Sequence, residues 1–466
     1  MNIKKSLLVT LGLLLLVTVC LGGRTFKNLN QNNNNNVKDS SSFPIYWYNQ
    51  TLNHFDAQDS RTFMQRYYTN DAYYDYSKGG PIILYINGEG PVSSPPYQQG
   101  DGVVVYAQAL GAYIVTLEHR YYGDSSPFED LSTENLKFLS SRQALNDLAV
   151  FISDFRKNLS LSTEVVTIGG SYSGALSAWF RVKYPHITVG SVSSSGVVNA
   201  ILDFTAFDEW VAYAAGDECA TAMRQVTQEV EQAYFGGQAD EIRQIFNAET
   251  LVEDGDFFFW LADSNAEGIQ YGYHSQLCDP LVDAMNNGTS LIKTYALYTA
   301  NVWTGSLGTP AEYATAWQQN TTHDINNSAD RLWLYQTCTE FGYWQNAPAE
   351  NSIRSSIVNM TYWRDHCEQV FGIALWPDVE ATNEYYGGNQ TAGTNIIFVN
   401  SSQDPWSRAS IITQQYPSEP VAMVTCGNCG HCSDIRVDCP GGCDTPNNLA
   451  QVRQVTLQAI QSWLAQ

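Results

Sequence analysis

Three side chains in this sequence have the types, and stand in the order, that acyl transfer by a serine requires. Ser171 closes the run Val165-Val166-Thr167-Ile168-Gly169-Gly170-Ser171, and Tyr172-Ser173-Gly174-Ala175-Leu176 follows at once. β-Branched residues running into two glycines and a serine, with helix formers behind them, read as a sharp strand–turn–helix that exposes the hydroxyl at a strand tip. The serine backbone is strained at such a turn, so its neighbours can carry no bulk. Gly169 keeps the first glycine position of the usual pattern, while Ser173 takes the second, with Gly174 after it. A hydroxyl is a weak nucleophile by itself and needs a base, plus a carboxylate to fix that base. Asp404, in Asn400-Ser401-Ser402-Gln403-Asp404-Pro405-Trp406, and His431, in Cys429-Gly430-His431-Cys432-Ser433-Asp434, supply them in the chain order serine, aspartate, histidine. The combination is far more specific than the short serine pattern, which taken alone also describes a helix N-cap. Asp434 and Asp438 are rival carboxylates, but both follow the histidine. Of the seven histidines only His431 sits on a glycine-flanked loop after a late strand; His54, His119, His186, His274, His323 and His366 read as structural or surface residues. Oxyanion donors are expected from the backbone of Tyr172 and from the Asn87-Gly88-Glu89-Gly90 loop, at Gly88.

The elements that must position these groups follow from hydrophobic pattern. Pro81 to Ile86 and Tyr113 to Leu117 are continuous apolar runs and read as buried strands. Leu145, Leu148, Ile152 and Phe155 fall at helical spacing before the strand at Val165. Val189 to Val192, Ile396 to Val399 and Val421 to Val424 are further strands, the last two leading to Asp404 and His431. Strands alternating with helices predict a parallel sheet covered on both faces. From about 200 to 365 the pattern turns helical and aromatic-rich, which predicts an insertion lying over the sheet. The expected organisation is a signal peptide at 1–23, an Asn-rich disordered tail at 24–42, a first core part at 43–199, the helical cap insertion at 200–365, and a second core part at 366–466.

The 466 residues carry a formal net charge of −23, which argues against a nucleic-acid partner. Lys4 and Lys5 before the apolar run Leu7 to Val19, with Gly22 and Gly23 behind it, form a secretory signal, and no other segment is apolar and long enough to span a membrane. Lysosome and cell exterior both remain open. Sequons at Asn49, Asn158, Asn287, Asn320, Asn326, Asn359, Asn389 and Asn400 are glycosylation candidates on the same route. Removal of Cys20 with the signal leaves nine cysteines. Those at 426, 429, 432, 439 and 443 have zinc-like spacing around His431, yet in an oxidising compartment disulfides are the stronger reading. No metal and no cofactor is expected. Cys219 with Cys278 and Cys338 with Cys367 are pairs open to the insertion, although the sequence does not fix connectivity.

The sequence resembles the serine peptidase family that includes lysosomal Pro-Xaa carboxypeptidase, dipeptidyl peptidase II and thymus-specific serine protease, and is closest in look to the last two. The stretches that carry the likeness are Leu52–Phe55, Asn87–Gly90, Glu118–Gly123, Gly169–Tyr172, Trp179–Arg181, Tyr335–Tyr343 and Asp404–Trp406, spread over most of the mature chain. The resemblance implies an α/β-hydrolase core with a helical cap domain, Ser171, Asp404 and His431 as triad, and cleavage after proline or small residues near a chain terminus. The cysteine-crowded loop around His431 departs from the simpler glycine–histidine loop of the family.

The expectation is a secreted or lysosomal serine exopeptidase acting on peptides, with dipeptidyl-peptidase activity favoured over Pro-Xaa carboxypeptidase activity. An esterase or lipase on the same fold, or a catalytically inactive binding protein, are the competing readings. Glu89 and Glu340 are candidates to hold a free α-amine, Arg120 and Arg181 a terminal carboxylate. Tyr335, Phe341 and Trp406 could line an apolar pocket suited to proline. A homodimer stays open. Activity is expected to persist below neutrality, which calls for a depressed His431 pKa in the complex with substrate.

Overall fold

The computed structural model describes residues 44–92, 101–159, 161, 163–302, 309–324, 328–436 and 446–466. The signal peptide, the Asn-rich tail, Asn326, Asp438, Cys439 and Cys443 lie outside the described residues.

The described residues form ten strands: β1 (Tyr46–Thr51), β2 (Thr62–Asn70), β3 (Ile82–Ile86), β4 (Tyr113–Leu117), β5 (Val165–Gly170), β6 (Gly190–Ser194), β7 (Ile201–Asp203), β8 (Gly342–Trp344), β9 (Ile396–Ser401) and β10 (Val421–Val424). Eight of them make one sheet in the order β1-β2-β4-β3-β5-β6-β9-β10. The β1–β2 hairpin and the β2–β4 pair are antiparallel, and every pair from β4 onward is parallel. The sheet's side chains alternate strictly between two cores. Ile82, Leu84 and Ile86 face one cluster and Ile83 the other; Ile396 and Phe398 face the first, Ile397 and Val399 the second. That two-sided burial explains why these strands read as unbroken apolar runs instead of alternating ones.

Helices α1 (Gly102–Leu110), α2 (Ser141–Asn158) and α3 (Tyr172–Lys183) are the crossovers of the first half. Ser140 caps α2 by accepting from Gln143 N–H. The C-terminal helix Pro446–Leu464 lies with α1 on the face opposite α2 and α3. Its Trp463 ring lies so close to β6 that a Cβ at Gly190 would come within 2.1 Å of it.

Between β6 and β9 the chain is predominantly helical, beginning with α4 (Thr205–Ala215), α5 (Asp217–Ala233), α6 (Ala239–Ile245) and α7 (Asp254–Gln270). Two disulfides, Cys219–Cys278 and Cys338–Cys367, staple this segment, and a third joins Cys426 to Cys429. The boundary expected at 366 falls inside the helix Met360–Phe371; a further helix runs to Tyr386 and the sheet resumes only at Ile396. The aromatic density of the segment masks that boundary, because Tyr362 and Trp363 pack on Phe259 of α7 as core. No helix among the described residues is long and apolar enough to cross a membrane.

Candidate active site

β5 is buried along its whole length and delivers Ser171 to the start of α3. Ser171 has φ 61° and ψ −129°, a backbone region that side chains other than glycine rarely enter, and its N–H donates to the Ser194 carbonyl at the end of β6 at 2.9 Å. The glycine requirement is steric: a Cβ at Gly169 would lie 2.1 Å from the Ser173 carbonyl oxygen, and one at Gly174 would lie 2.6 Å from the Ser194 carbonyl oxygen. Ser173 has a local reason to replace the second glycine. Its Oγ accepts from Gly170 N–H at 3.1 Å and donates to the Gly170 carbonyl at 2.6 Å, which pins the turn from inside.

Asp404 follows β9 and His431 follows β10. His431 Nδ1 donates to Asp404 Oδ2 at 2.8 Å, with both side chains fully buried. The other carboxylate oxygen, Oδ1, accepts from Trp406 N–H at 3.0 Å, so the acid is held from two sides. The distal nitrogen of the ring, Nε2, has no hydrogen-bond partner among the described residues. Burial works against the imidazolium, but the Asp404 carboxylate, followed by Cys432, outweighs it and holds the His431 pKa well above the ordinary histidine value. In the chain without substrate, a carboxylate at hydrogen-bond distance thus overrides desolvation.

The base is carried on a loop tied to two places. His431 N–H donates to the Gln270 carbonyl at the end of α7 at 2.6 Å, and Gln270 Oε1 accepts from Trp406 Nε1 at 2.9 Å. Cys432 N–H donates to Ser195 Oγ at 2.9 Å, and its Sγ lies 3.8 Å from the same Ser194 carbonyl that holds Ser171. The end of β6 thus receives both the serine turn and the histidine loop. Sequence reasoning passed over Gln270, Ser194 and Ser195, which carry no motif of their own.

The other expected site residues divide. Tyr172 is the first residue of α3, so its N–H stands at the helix end beside Ser171, and Gly88 lies against Ser173, where a Cβ would touch it at 3.4 Å. The Tyr172 hydroxyl accepts from Gln336 Nε2 at 3.0 Å and lies 3.1 Å from His119 Nε2, while Tyr122 donates to Gln336 Oε1 at 2.7 Å. Three separated stretches of the sequence therefore meet behind the serine. Glu89 is buried within electrostatic reach of Tyr122, Tyr271 and Tyr343. Trp406 stands 6.4 Å from the His431 ring and packs on Phe204, Phe207 and Tyr343. Tyr335, by contrast, packs edge-on against Phe371.

Glu340 is already engaged. Its carboxylate accepts from Ser141 N–H at 3.0 Å and from Ser141 Oγ at 2.7 Å at the start of α2, and burial pushes its pKa up to about 7 against those donors. Arg120 is engaged too: its guanidinium forks onto Asp147 at 2.7 and 2.6 Å, and His54 Nε2 joins the same carboxylate at 2.7 Å. Arg181 donates to the backbone of Thr394 and Pro185. Among the sequons, Asn400 is a correction: it is fully buried in β9 and donates to the Ile411 carbonyl at 2.9 Å, leaving no room for a sugar. Asn49, Asn158, Asn287, Asn320, Asn359 and Asn389 are exposed. Among the described residues no group of three or more His, Cys, Asp or Glu is placed to hold a metal ion.

A mostly parallel eight-stranded sheet with an antiparallel second strand, a strained serine between β5 and α3, and an acid and a base after later strands define an α/β-hydrolase. Residues 50–455 match the family described as serine carboxypeptidase S28. The chain belongs to that family and is a serine peptidase. It is 41% identical over 439 residues to "Probable serine protease EDA2" of Arabidopsis thaliana, covering 90% of this chain and 88% of that one. It is 32% identical to the thymus-specific serine protease of Mus musculus, covering 90% and 87%. With the lysosomal Pro-X carboxypeptidase of Homo sapiens it shares 26% identity, covering 91% and 89%.

Proposed function

We propose that Ser171, His431 and Asp404 are the catalytic triad of an exopeptidase that removes short units from the amino-terminal end of peptides, after proline or a small residue. The observation that carries this is the buried His431–Asp404 pair with its distal nitrogen open, on a loop anchored to the same strand end as Ser171. His431 Nε2 takes the Ser171 proton as Oγ attacks the scissile carbonyl, and returns it to the leaving amine; water repeats the cycle on the acyl-enzyme. The Tyr172 N–H and a donor at Gly88 stabilise the oxyanion. Glu89 receives the substrate's α-amine, a reading supported by its burial beside the tyrosines on the loop that touches Ser173. Arg120 and Arg181 are engaged elsewhere and do not hold a substrate carboxylate. The proline preference draws on the printed name of the lysosomal Pro-X carboxypeptidase and on the aromatic wall at Trp406.

A second reading, removal of a carboxy-terminal residue, is favoured by Arg408. Its guanidinium lies 3.7 Å over the Trp210 ring and within electrostatic reach of Asp404. The exposed sequons, the disulfides and the lysosomal and extracellular relatives support a place on the secretory route.

The test is hydrolysis of Ala-Pro and Lys-Pro fluorogenic amides with free and blocked amino termini, by the wild type and Ser171→Ala. Cleavage of the free form alone, abolished in the variant, is expected. Cleavage only of peptides with a free carboxy-terminal residue after proline would transfer the assignment to Arg408. Activity surviving in Ser171→Ala would overturn the triad.

A further inference from the structure

Three residues past His431 the chain buries a second carboxylate. Asp434 is 1% exposed; its Oδ1 accepts from Ser194 Oγ, and its Oδ2 has no hydrogen-bond partner among the described residues. A buried carboxylate with half its acceptors unused is costly, and an apolar side chain would fill the same space without that cost. The position of its one donor gives it a use. Ser194 is the residue whose carbonyl receives Ser171 N–H at 2.9 Å, so the Asp434–Ser194 bond is a side-chain link between the histidine loop and the strand end behind the serine.

The backbone around Asp434 is fixed independently of that bond. Its carbonyl accepts from Arg453 Nε of the C-terminal helix at 2.7 Å, and the Ile435 carbonyl accepts from Gly102 N–H at the start of α1 at 3.2 Å. Removing the side chain therefore leaves the loop attached and changes only its registry against β6. The groups that face Asp434 are His431 on its own loop, Ser194 on β6, Tyr106 on α1 and Arg453 on the C-terminal helix. Burial holds the Asp434 carboxyl up at about 6, against the Ser194 hydrogen bond and then Arg453.

We propose that Asp434 is a positioning residue: through Ser194 it sets the placement of the His431 loop relative to the turn that carries Ser171. Its charge has a second effect on the same base. Ionised Asp434 also favours the His431 imidazolium, less than the directly bonded Asp404 does, so its charge helps keep the base protonated to higher pH. This rests on the triad reading above, and the test separates the two.

The measurement is the second-order rate of labelling by a fluorophosphonate, from pH 4 to 9, for wild type, Ser171→Ala, Asp434→Ala, Asp434→Asn and Ser194→Ala, with thermal unfolding alongside. Asp434→Ala and Ser194→Ala should label at least tenfold more slowly at pH 8. Asp434→Asn keeps an acceptor for Ser194 Oγ, so it should lose less than Asp434→Ala, and its acid limb should move to lower pH because the charge is gone. Rates and limbs equal to wild type in both Asp434 variants, with Ser171→Ala unlabelled, would overturn the proposal and leave the triad standing. Equal losses in the two Asp434 variants with an unmoved limb would reduce Asp434 to a structural residue and overturn it also. Labelling of Ser171→Ala at the wild-type rate would mean the triad reading itself is wrong.

Discussion

Asp404→Asn is the perturbation whose consequences the geometry states most fully. His431 Nδ1 and Asp404 Oδ2 are 2.8 Å apart with neither exposed, and at an effective dielectric of 20 opposite charges at that distance attract by about 6 kcal/mol. That attraction is available only when the ring is charged, which is the state His431 enters as it takes the serine proton. Asparagine removes it, and the amide adds a second fault. With Oδ1 kept for Trp406 N–H, the amide nitrogen would face Nδ1 and force that nitrogen to become the acceptor. The ring proton then sits on Nε2, where the serine proton must go. A fall of roughly 10⁴ in turnover, about 5.5 kcal/mol, is expected. The pH dependence moves in the opposite sense. With the carboxylate gone, burial acts on His431 against less opposition, the ring sheds its proton at lower pH, and the acid limb of residual activity shifts downward. The assay is kcat/KM on whichever fluorogenic peptide the wild type cleaves, measured from pH 4 to 9 with thermal unfolding alongside. A variant within tenfold of wild type at pH 8, or an unmoved limb on the residual activity, would refute the reasoning.

Two further perturbations test the supports. A Cβ at Gly430 would lie 2.0 Å from the Gln270 carbonyl oxygen, a backbone atom that cannot swing away, so Gly430→Ala should shift the adjoining His431 and cost at least a hundredfold in kcat with about 1–3 kcal/mol of stability; wild-type kcat would sink this account. Glu340→Gln tests the buried acid at α2. Its folded pKa of about 7 against an ordinary 4.5 means the folded state holds the proton more tightly, so its contribution to stability is complete below pH 4.5 and is lost as pH rises through 7. The loss of about 3 kcal/mol (2.5 pKa units at 1.36 each) should disappear from the variant when unfolding free energies at pH 4.5 and 7.5 are compared, and an unchanged difference would contradict it.

The proposed triad was legible as a constellation because chemistry constrains such residues locally. Ser171 needs small neighbours on both sides, and Asp404 and His431 must each follow a strand, so turn chemistry and strand pattern announce them together. The partners of three charged residues offered to substrate termini, Arg120, Arg181 and Glu340, were not legible. Arg120 and Glu340 stand in memorable motifs, but their partners, Asp147 and Ser141, are 27 and 199 residues away in sequence, and only the folded chain shows them committed. Asn400 fails as a glycosylation site for a related reason. A sequon is three residues long and carries no information on burial, whereas the strand pattern of Ile396 to Val399 already pointed to an interior position.

The helical segment between β6 and β9 does more than roof the sheet. Its helix α7 ends at Gln270, whose carbonyl fixes the His431 backbone and whose side chain fixes Trp406, two residues beyond the acid. Its later stretch supplies Gln336, which bridges the tyrosine after the serine to Tyr122 in the β4 loop. The proposed nucleophile, base and acid are each braced by this one segment, through Tyr172, His431 and Trp406, as well as by the strands that carry them. Displacing the segment would therefore disturb the catalytic groups themselves along with access to them. A difference in substrate preference within the family that arises in this segment should also appear as a difference in turnover, because the same residues that shape the roof set the positions of the groups beneath it.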